Sequence, residues 1–174
     1  IGHMVIDIGG GTTEIAVIAL SGIVTDQSIR IAGDEFTNDI IDYMKRKHNL
    51  LIGERTAEQI KIHAGAALTD IVDIPPKYAV NGRDLLTGIP KQVFTTHAEV
   101  AEALDKSISK IEEAILKALE DTPPELSSDI FQTGLYLTGG GALLRGLDKR
   151  ISMKTKLNVH IADDPLRAVV KGTG

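Results

Sequence analysis

Two runs of three consecutive glycines constrain the fold of this chain more than any other feature of its sequence. Glycines 9–11 directly follow the apolar run 4–8, and glycines 139–141 directly follow the apolar run 135–138. Short apolar runs bounded by turn residues are typical of buried strands. A single triplet is most simply a tight turn, but two at strand ends favour a site where backbone N–H groups approach an anion. The sequence therefore predicts an α/β fold with a phosphate-binding edge.

The residues around the first triplet suit a nucleotide phosphate. Thr12 and Thr13 offer hydroxyl donors, and Asp7 at the strand end is predicted to hold Mg²⁺ through water, since this hard cation keeps much of its hydration. Segment 13–20 reads as a strand, so the loop is predicted to close a phosphate-clasping hairpin. The chain has no Gly-Lys-Ser/Thr sequence, which excludes a P-loop, and no helix follows the loop directly, which excludes a dinucleotide-binding fingerprint.

The second triplet is predicted to form a turn between a strand and a helix. A flat glycine surface lets an adenine ring lie against the backbone, and the start of a helix adds a positive dipole end. The apolar residues that mark this helix are Leu143, Leu144, Leu147 and Ile151.

Changes of hydrophobic period predict the remaining elements. A strand over 23–32 follows the turn at Ser21-Gly22, which gives the sheet an antiparallel edge. Segment 69–95 holds short β-prone runs between prolines and glycines and reads as a small inserted lobe. The other predicted elements are a helix over 36–44 ending in the basic run 45–47, a helix after Gly53 with a capping box at 56–59, a helix from a capping box at 96–99 to about 121 that Pro123 and Pro124 stop, a strand at 157–161 and a helix at 164–171.

Composition narrows the function classes. The chain is 43% hydrophobic and 25% charged, as expected for a globular protein with a real core. A net charge of −5 gives no basic face for nucleic acid, and the lack of cysteine excludes thiolate metal sites. The histidines show no ligand spacing, and His3 could belong to a cloning remnant. No apolar run reaches the length of a membrane span.

Several segments together resemble one family. DIGGGTTEIAVIALSGIV (7–24) resembles the second phosphate loop of the actin, heat-shock-70 and sugar-kinase superfamily. Within it, the chain is similar to the MreB family of bacterial actin-like proteins almost continuously from Met4 onward. The segments that carry the similarity are SIRIAGDEF, LLIGERTAEQIK, NGRDLLTGIPK, TPPELSSDI, LTGGGALLRGLD and ADDPLRAVVKGTG.

The resemblance implies a role for each matching position, with ATP or ADP and Mg²⁺ as cofactors. Asp7 faces the Mg²⁺ region, while Glu58 and Lys61 lie beside the ribose and base. Taken without the family, Glu58 and Lys61 at spacing i, i+3 would be an ordinary surface ion pair. The full implied set is Asp7, Gly9, Gly10, Gly11, Thr12 and Thr13 at the phosphates, Arg55, Thr56, Ala57, Glu58 and Lys61 at the ribose and base, and Gly139, Gly140, Gly141 and Ala142 at the adenine.

The resemblance also implies the fold and its subdivision. The expected fold is a ribonuclease-H-like mixed sheet with flanking helices, as in actin-like ATPases, plus a small inserted α+β lobe. Residues 1–68 and 122–174 would form subdomain IIA, and residues 69–121 would form subdomain IIB. MreB-like proteins have a first half that supplies another phosphate loop and the acidic group that positions the hydrolytic water. This chain alone is therefore predicted to contain no catalytic residue, to bind ATP weakly or not at all, and to show no turnover.

The implied function is that of a bacterial actin. ATP-dependent filaments of the intact protein would maintain rod cell shape and guide wall synthesis from the cytoplasm, at the inner face of the cell membrane. The expected partners are further filament subunits and a RodZ-like membrane-anchored protein, without nucleic acid and without direct membrane contact by this half. Two alternatives remain: another ATPase or sugar kinase of the superfamily, and a non-catalytic module that docks a partner.

Overall fold

A computed structural model of the protein describes residues 2–162. The strands in this range are β1 (His3–Ile8), β2 (Thr13–Ala19), β3 (Gly22–Ile29), β4 (Leu50–Leu51), β5 (Tyr78–Asp84), β6 (Pro90–Thr95), β7 (Leu135–Thr138) and β8 (Val159–Ile161). The helices are α1 (Gly33–His48), α2 (Glu54–Ala64), α3 (His97–Glu120), α4 (Pro124–Thr133) and α5 (Leu147–Thr155), with a 3₁₀ turn at Gly140–Leu143. In this part of the chain, no helix is long and apolar enough to cross a membrane.

The described residues form two compact units, each with its own sheet. The first unit comprises residues 2–33, 109–143 and 147–162, and the second comprises residues 34–108 with 144–146. Helix α3 contributes residues to both units. The sequence-based boundaries between subdomains IIA and IIB, at 68/69 and 121/122, stay a prediction.

The first unit is built on a mixed five-stranded sheet in the order β3-β2-β1-β7-β8. Strand β1 pairs antiparallel with β2 and parallel with β7, which in turn pairs parallel with β8. Because β1 is central and its residues are buried on both faces, it reads as a continuous apolar run in the sequence. Helix α4 contacts β1, and α5 contacts β8. The antiparallel edge predicted from the two adjacent hairpins is confirmed.

The second unit holds an antiparallel sheet in the order β4-β5-β6, and α2 contacts β5. The β5–β6 turn is held by Asp84, whose carboxylate accepts the N–H groups of Leu86 and Thr87 at 2.8 Å each. Asp84 also pairs with Lys91 at 3.1 Å. These backbone hydrogen bonds, with the Lys91 ammonium, lower the pKa of Asp84 to about 2.

Two helices confirm the patterns that predicted them. Helix α1 starts with acidic residues and ends with the basic run 45–47, as the helix dipole favours. Helix α3 starts after Thr96, whose hydroxyl accepts the N–H of Glu99 at 3.3 Å, so the N-cap half of the capping box predicted at 96–99 is confirmed. The reciprocal half is not formed, because the Glu99 carboxylate accepts from the Thr95 hydroxyl at 2.8 Å. The buried apolar residues of these two helices are Phe36, Ile40, Tyr43, Met44, Val100, Ala101, Leu104, Ile108, Ile111, Ile115 and Ala118.

Other elements differ from the prediction. The capping box at 56–59 is wrong, because α2 already begins at Glu54 and Gly53 occupies the N-cap position without a side-chain cap. The helix predicted over 143–151 is interrupted: the 3₁₀ segment ends at Leu143, Arg145 bridges to Ala66, and Gly146 takes a φ of +78° before α5 begins at Leu147. Strand β4 and helix α4 were not predicted. The helix predicted at 164–171 lies outside the described residues.

Candidate functional site

The carboxyl ends of β1 and β7 meet in the first unit. In the parallel register of these strands, Asp7 stands opposite Thr138. Each strand runs directly into one of the glycine triplets, so the structure brings the two triplets to the same edge of the sheet. Ligands of open α/β sheets bind at such an edge, outside the carboxyl ends of parallel strands.

The first triplet forms the turn of the β1–β2 hairpin. The turn is closed by a hydrogen bond from the Gly9 N–H to the Thr12 carbonyl at 3.0 Å, while the Gly9 carbonyl accepts the Gly33 N–H at 2.9 Å. Gly10, Gly11 and Thr12 are exposed at its tip. The loop therefore presents backbone to solvent on a fixed base, which is the arrangement that an anion-binding turn needs.

Thr13 is placed differently from its neighbours in the loop. Its side chain is fully buried, and its hydroxyl donates to the Ile31 carbonyl at 2.6 Å. That bond ties the start of β2 to the segment after β3. A role for Thr13 toward a ligand stays a prediction.

The glycines of the second triplet differ in what surrounds them. Gly139 has a φ of +88°, and a Cβ there would collide with the Ile8 carbonyl oxygen and lie 2.6 Å from Asp7 Oδ1. A Cβ at Gly141 would collide with the Ile8 side chain, whereas one at Gly140 would meet nothing within 4 Å. Gly139 and Gly141 are therefore needed for the close approach of the turn to β1, and Gly140 leaves an open surface.

Asp7 and Thr138 carry polar groups without a partner among the described residues. The Asp7 carboxylate is half-exposed and makes no hydrogen bond or ion pair there. The Thr138 hydroxyl is buried, at 1% exposure, and has no hydrogen-bond partner. Leaving a buried hydroxyl unsatisfied costs about 1–3 kcal/mol. A carboxylate and a hydroxyl oxygen side by side suit a hydrated Mg²⁺ ion, which prefers oxygen ligands and bound water.

In the second unit, Glu58 and Lys61 form a three-member cluster with Thr37. Lys61 Nζ lies 2.9 Å from Glu58 Oε1 and 3.3 Å from the Thr37 hydroxyl, which donates to Glu58 Oε1 at 2.6 Å. Partial burial raises the pKa of the Glu58 carboxyl. The hydrogen bonds from Thr37 and Lys61, together with the Lys61 charge, lower it by more, so the pKa lies below its ordinary value. The cluster therefore holds Glu58 as a carboxylate beside an ammonium.

The remaining predicted residues differ in exposure. Arg55 is exposed and Thr56 half-exposed on α2, while Ala57 is fully buried in the core. Ala142 is also buried, in the 3₁₀ turn after the second triplet. The roles of these residues at a ribose or base stay a prediction.

Sequence reasoning missed Thr37 and Thr138. Thr37 lies 21 residues before Glu58, and no spacing rule connects the two positions. Thr138 could have been found from the sequence, because it directly precedes the second glycine triplet at the end of an apolar strand. Asp7 lies at a similar position, two residues before the first triplet. Among the described residues, no group of histidine, aspartate and glutamate side chains could hold a metal ion on its own.

This geometry can be compared with known proteins. A family model described as MreB/Mbl protein matches residues 1–174. The chain belongs to the MreB/Mbl family. The cell shape-determining protein Mbl of Bacillus subtilis (strain 168) is 47% identical over 173 residues, which are 99% of this chain and 51% of that protein. MreB of Escherichia coli (strain K12) is also 47% identical over 173 residues, 99% of this chain and 49% of that protein.

Solved structures agree with the family assignment. MreB5 of Spiroplasma citri bound to AMPPNP matches with a TM-score of 0.90 and 39% identity over 99% of this chain and 51% of that one. A MamK mutant matches with a TM-score of 0.75 at 20% identity, over 98% of this chain and 52% of that one, and so shows the fold alone. The predicted actin-like fold, with a mixed sheet and flanking helices, is confirmed. The chain spans about half the length of the MreB/Mbl relatives it matches.

Proposed function

We propose that this chain forms the nucleotide-binding half of an MreB-like actin, which binds ATP or ADP with Mg²⁺ and assembles into filaments that maintain cell shape. The observation that carries the proposal is the meeting of both glycine triplets at the ends of β1 and β7. The bound AMPPNP and ADP in the structures of MreB5 support it, because that protein is 39% identical to this chain.

The first triplet would bind the phosphates. The exposed backbone at Gly10 and Gly11, with the Thr12 hydroxyl, would donate to phosphate oxygens, and Asp7 would hold a water of the Mg²⁺ ion. Thr138 adds a hydroxyl beside Asp7 that has no partner among the described residues. In phosphoryl transfer, such groups act by position and charge, because the transition state spreads negative charge over the phosphate oxygens.

The ribose and base would be received by other residues. Glu58 offers an acceptor and Lys61 a donor from one face of α2, and Thr37 fixes both. The flat surface at Gly140, with the neighbouring glycines and Ala142, would lie along the adenine. Arg55 and Thr56 would complete the set on α2.

Self-association is proposed on separate grounds. Large aliphatic side chains are exposed at the tips of two hairpins: Leu20 at 94% in the β2–β3 turn and Ile23 at 66% near the start of β3, and Leu86 at 81% and Ile89 at 62% between β5 and β6. Exposed apolar clusters of this kind mark protein–protein contacts. We also propose a RodZ-like membrane-anchored partner and a location at the cytoplasmic face of the cell membrane, as the family resemblance implies.

A chimaera in which this chain replaces the matching half of Bacillus subtilis Mbl tests the proposal. We expect it to bind Mg²⁺-ATP and to sediment as filaments. Gly10→Val should abolish both properties, because a branched side chain covers the exposed backbone donors of the loop. Gly88→Val, in the β5–β6 turn, cannot serve as the control: Gly88 has a φ of +73°, so any side chain there would strain the backbone. Lys106→Ala, on the exposed side of α3, is suitable and should change neither property. Equal ATP affinity in the chimaera and its Gly10→Val variant would contradict the proposed site.

A further inference from the structure

A cavity of about 580 Å³ lies in the second unit and shares no residue with the glycine loops or the Glu58–Lys61–Thr37 cluster. Its volume falls in the range of cavities that bind a ligand or an anchoring side chain, roughly 300–1,000 Å³. The wall combines an aromatic pair, two cationic side chains and segment 72–76, which is apolar except for Asp73.

One wall is a flat aromatic surface. The rings of His63, on α2, and Tyr78, on β5, are stacked with centroids 4.8 Å apart and planes 10° from parallel. A stacked pair loses little further conformational entropy when an apolar group lies against it, which is why aromatic residues are favoured as anchors at binding surfaces.

Arg145 supplies a cation that is fixed in advance. Its Nη1 donates to the carbonyls of Ile62 at 3.3 Å and Gly65 at 3.1 Å, where the C-terminal end of α2 favours positive charge. Its own carbonyl accepts the Ala67 N–H at 2.8 Å. Arg145 forms no ion pair with any described carboxylate, so its charge is left for a ligand.

The rim adds a second cation and exposed apolar side chains. Lys77 lies over the Phe94 ring with its Nζ 4.5 Å from the centroid, and it has no carboxylate partner among the described residues. Val72 is 94% exposed and Ile74 63% exposed. Among the described residues, Asp73 is the one carboxylate in the wall, so the cations Lys77 and Arg145 outnumber it on a chain whose net charge is −5.

We propose that this cavity binds an extended segment of a partner protein that carries a carboxylate next to a large apolar side chain. The carboxylate pairs with the fixed guanidinium of Arg145, and a planar fork suits such pairing. The apolar side chain lies on the His63–Tyr78 surface. The exposed Val72 and Ile74 favour a protein segment over a small metabolite, because they extend the apolar surface beyond the cavity itself. Because the cavity shares no residue with the proposed nucleotide site, peptide binding should not require nucleotide.

Selection of random peptides displayed on phage against the 174-residue chain tests the proposal. We expect the enriched peptides to carry aspartate or glutamate beside phenylalanine, tryptophan, leucine or isoleucine. A synthetic copy of an enriched peptide should bind at least tenfold more weakly to the Arg145→Glu variant. Because that change could also disturb the fold, Lys77→Glu and His63→Ala, both at exposed positions, should each weaken binding several-fold.

Lys106→Glu is the matched control, since it makes the same charge change at an exposed position outside the cavity. It should leave peptide binding unchanged. Three results would overturn the proposal: no enrichment above that on an unrelated protein, equal binding to the Lys77→Glu and Lys106→Glu variants, or displacement of the peptide by Mg²⁺-ADP. The last result would assign the cavity to the nucleotide site, and a failure to bind nucleotide would leave the peptide result standing.

Discussion

A single buried hydroxyl, that of Thr37, holds Glu58 and Lys61 of the proposed site in place. It donates to Glu58, whose pKa lies below its ordinary value of 4.5. A carboxyl group with a depressed folded-state pKa stabilises the fold above its unfolded pKa, and this contribution is lost as the pH falls through the folded pKa. The stabilisation from this cluster is therefore present at neutral pH and disappears on acidification below about 4.5.

Thr37→Val should remove that hydrogen bond with little change of shape. We expect the free energy of unfolding at pH 7 to fall by about 1 kcal/mol, at the low end for a bond to a charged group because Glu58 is partly exposed. The Glu58 pKa, measured by NMR titration of the carboxyl carbon, should rise. Thr37→Ser keeps the hydroxyl and serves as the control, so identical pKa values in the two variants would contradict the assigned role.

His3 is expected to make stability depend on pH for a second reason. Its pKa is lowered by burial, whereas that of Glu58 is lowered by its hydrogen-bond partners. His3 is buried in β1, and neither ring nitrogen has a partner among the described residues. Burial lowers the pKa of His3 from 6.5, against the opposing effect of the Asp129 carboxylate. The unfolded chain therefore binds more protons than the folded one below pH 6.5, and stability should fall as the pH drops from 7 to 5.

His3→Leu should flatten this part of the pH profile. It should also raise stability at pH 5 by about 1 kcal/mol, because it replaces an unsatisfied buried polar ring by an apolar side chain. Urea unfolding at pH 5 and pH 7 measures the difference. Leu20→Ser, at an exposed position, removes no titratable group and should leave the slope of the profile unchanged. A wild-type profile that is flat between these pH values would exclude His3 as its source.

The helices and strands whose apolar residues repeat with a regular spacing were predictable from the sequence. Element boundaries that depend on the conformation of a single residue were not. The apolar spacing of α1 and α3 and the runs of β1 and β7 correspond to structure closely. Pro123-Pro124 was taken only as a stop signal, although proline also suits the first turn of a helix, where α4 begins. The break before α5 depends on the left-handed conformation of Gly146, which the leucine spacing across it conceals.

The candidate site was predictable to a similar extent. Asp7 and the two triplets follow from strand ends, because parallel strands bring their carboxyl ends together. The contacts of Thr37 with Glu58, and of Arg145 with the end of α2, join residues far apart in sequence. Only packing determines such contacts, so no local pattern could have shown them.

Helix α5 is joined to α3 by an ion pair that is nearly excluded from solvent. Arg150 Nη2 lies 3.0 Å from Glu112 Oε1, and the two side chains are 12% and 8% exposed. Arg150→Leu should lower the free energy of unfolding by about 3 kcal/mol, because it leaves the Glu112 carboxylate buried beside an apolar group. Thermal and urea unfolding measure this loss.

The double variant Arg150→Leu/Glu112→Leu should recover most of that stability, since replacing both members of a buried pair is often neutral. Lys117→Ala breaks an exposed pair with Asp121 and should change stability by less than about 0.5 kcal/mol. If the double variant were as unstable as Arg150→Leu alone, the cost would come from lost packing and not from an uncompensated charge.

At the scale of the whole molecule, the exposed hairpin tips are the contacts proposed for self-association. Leu20→Ser combined with Leu86→Ser should leave the free energy of unfolding within about 0.5 kcal/mol of wild type, because both side chains are already exposed. In the Mbl chimaera, the same pair should abolish sedimentation with Mg²⁺-ATP. Met153→Ser, at a residue on α5 that is 60% exposed, is the control and should sediment normally. Normal sedimentation of the Leu20/Leu86 variant would place the filament contacts elsewhere.

The unequal surroundings of the glycines have a consequence for how freely these positions can vary. Gly139 and Gly141 press against Ile8, whereas a side chain at Gly11 or Gly140 would meet nothing within 4 Å. Suppose that positions 11, 139, 140 and 141 are randomised and the variants are screened only for soluble expression. Positions 139 and 141 should then remain glycine, while positions 11 and 140 should accept other residues. If the proposed function holds, selecting the same library in the Mbl chimaera for sedimentation with Mg²⁺-ATP should also remove substitutions at 11 and 140. Comparing the two survivor populations would separate glycines retained for architecture from those retained for the nucleotide.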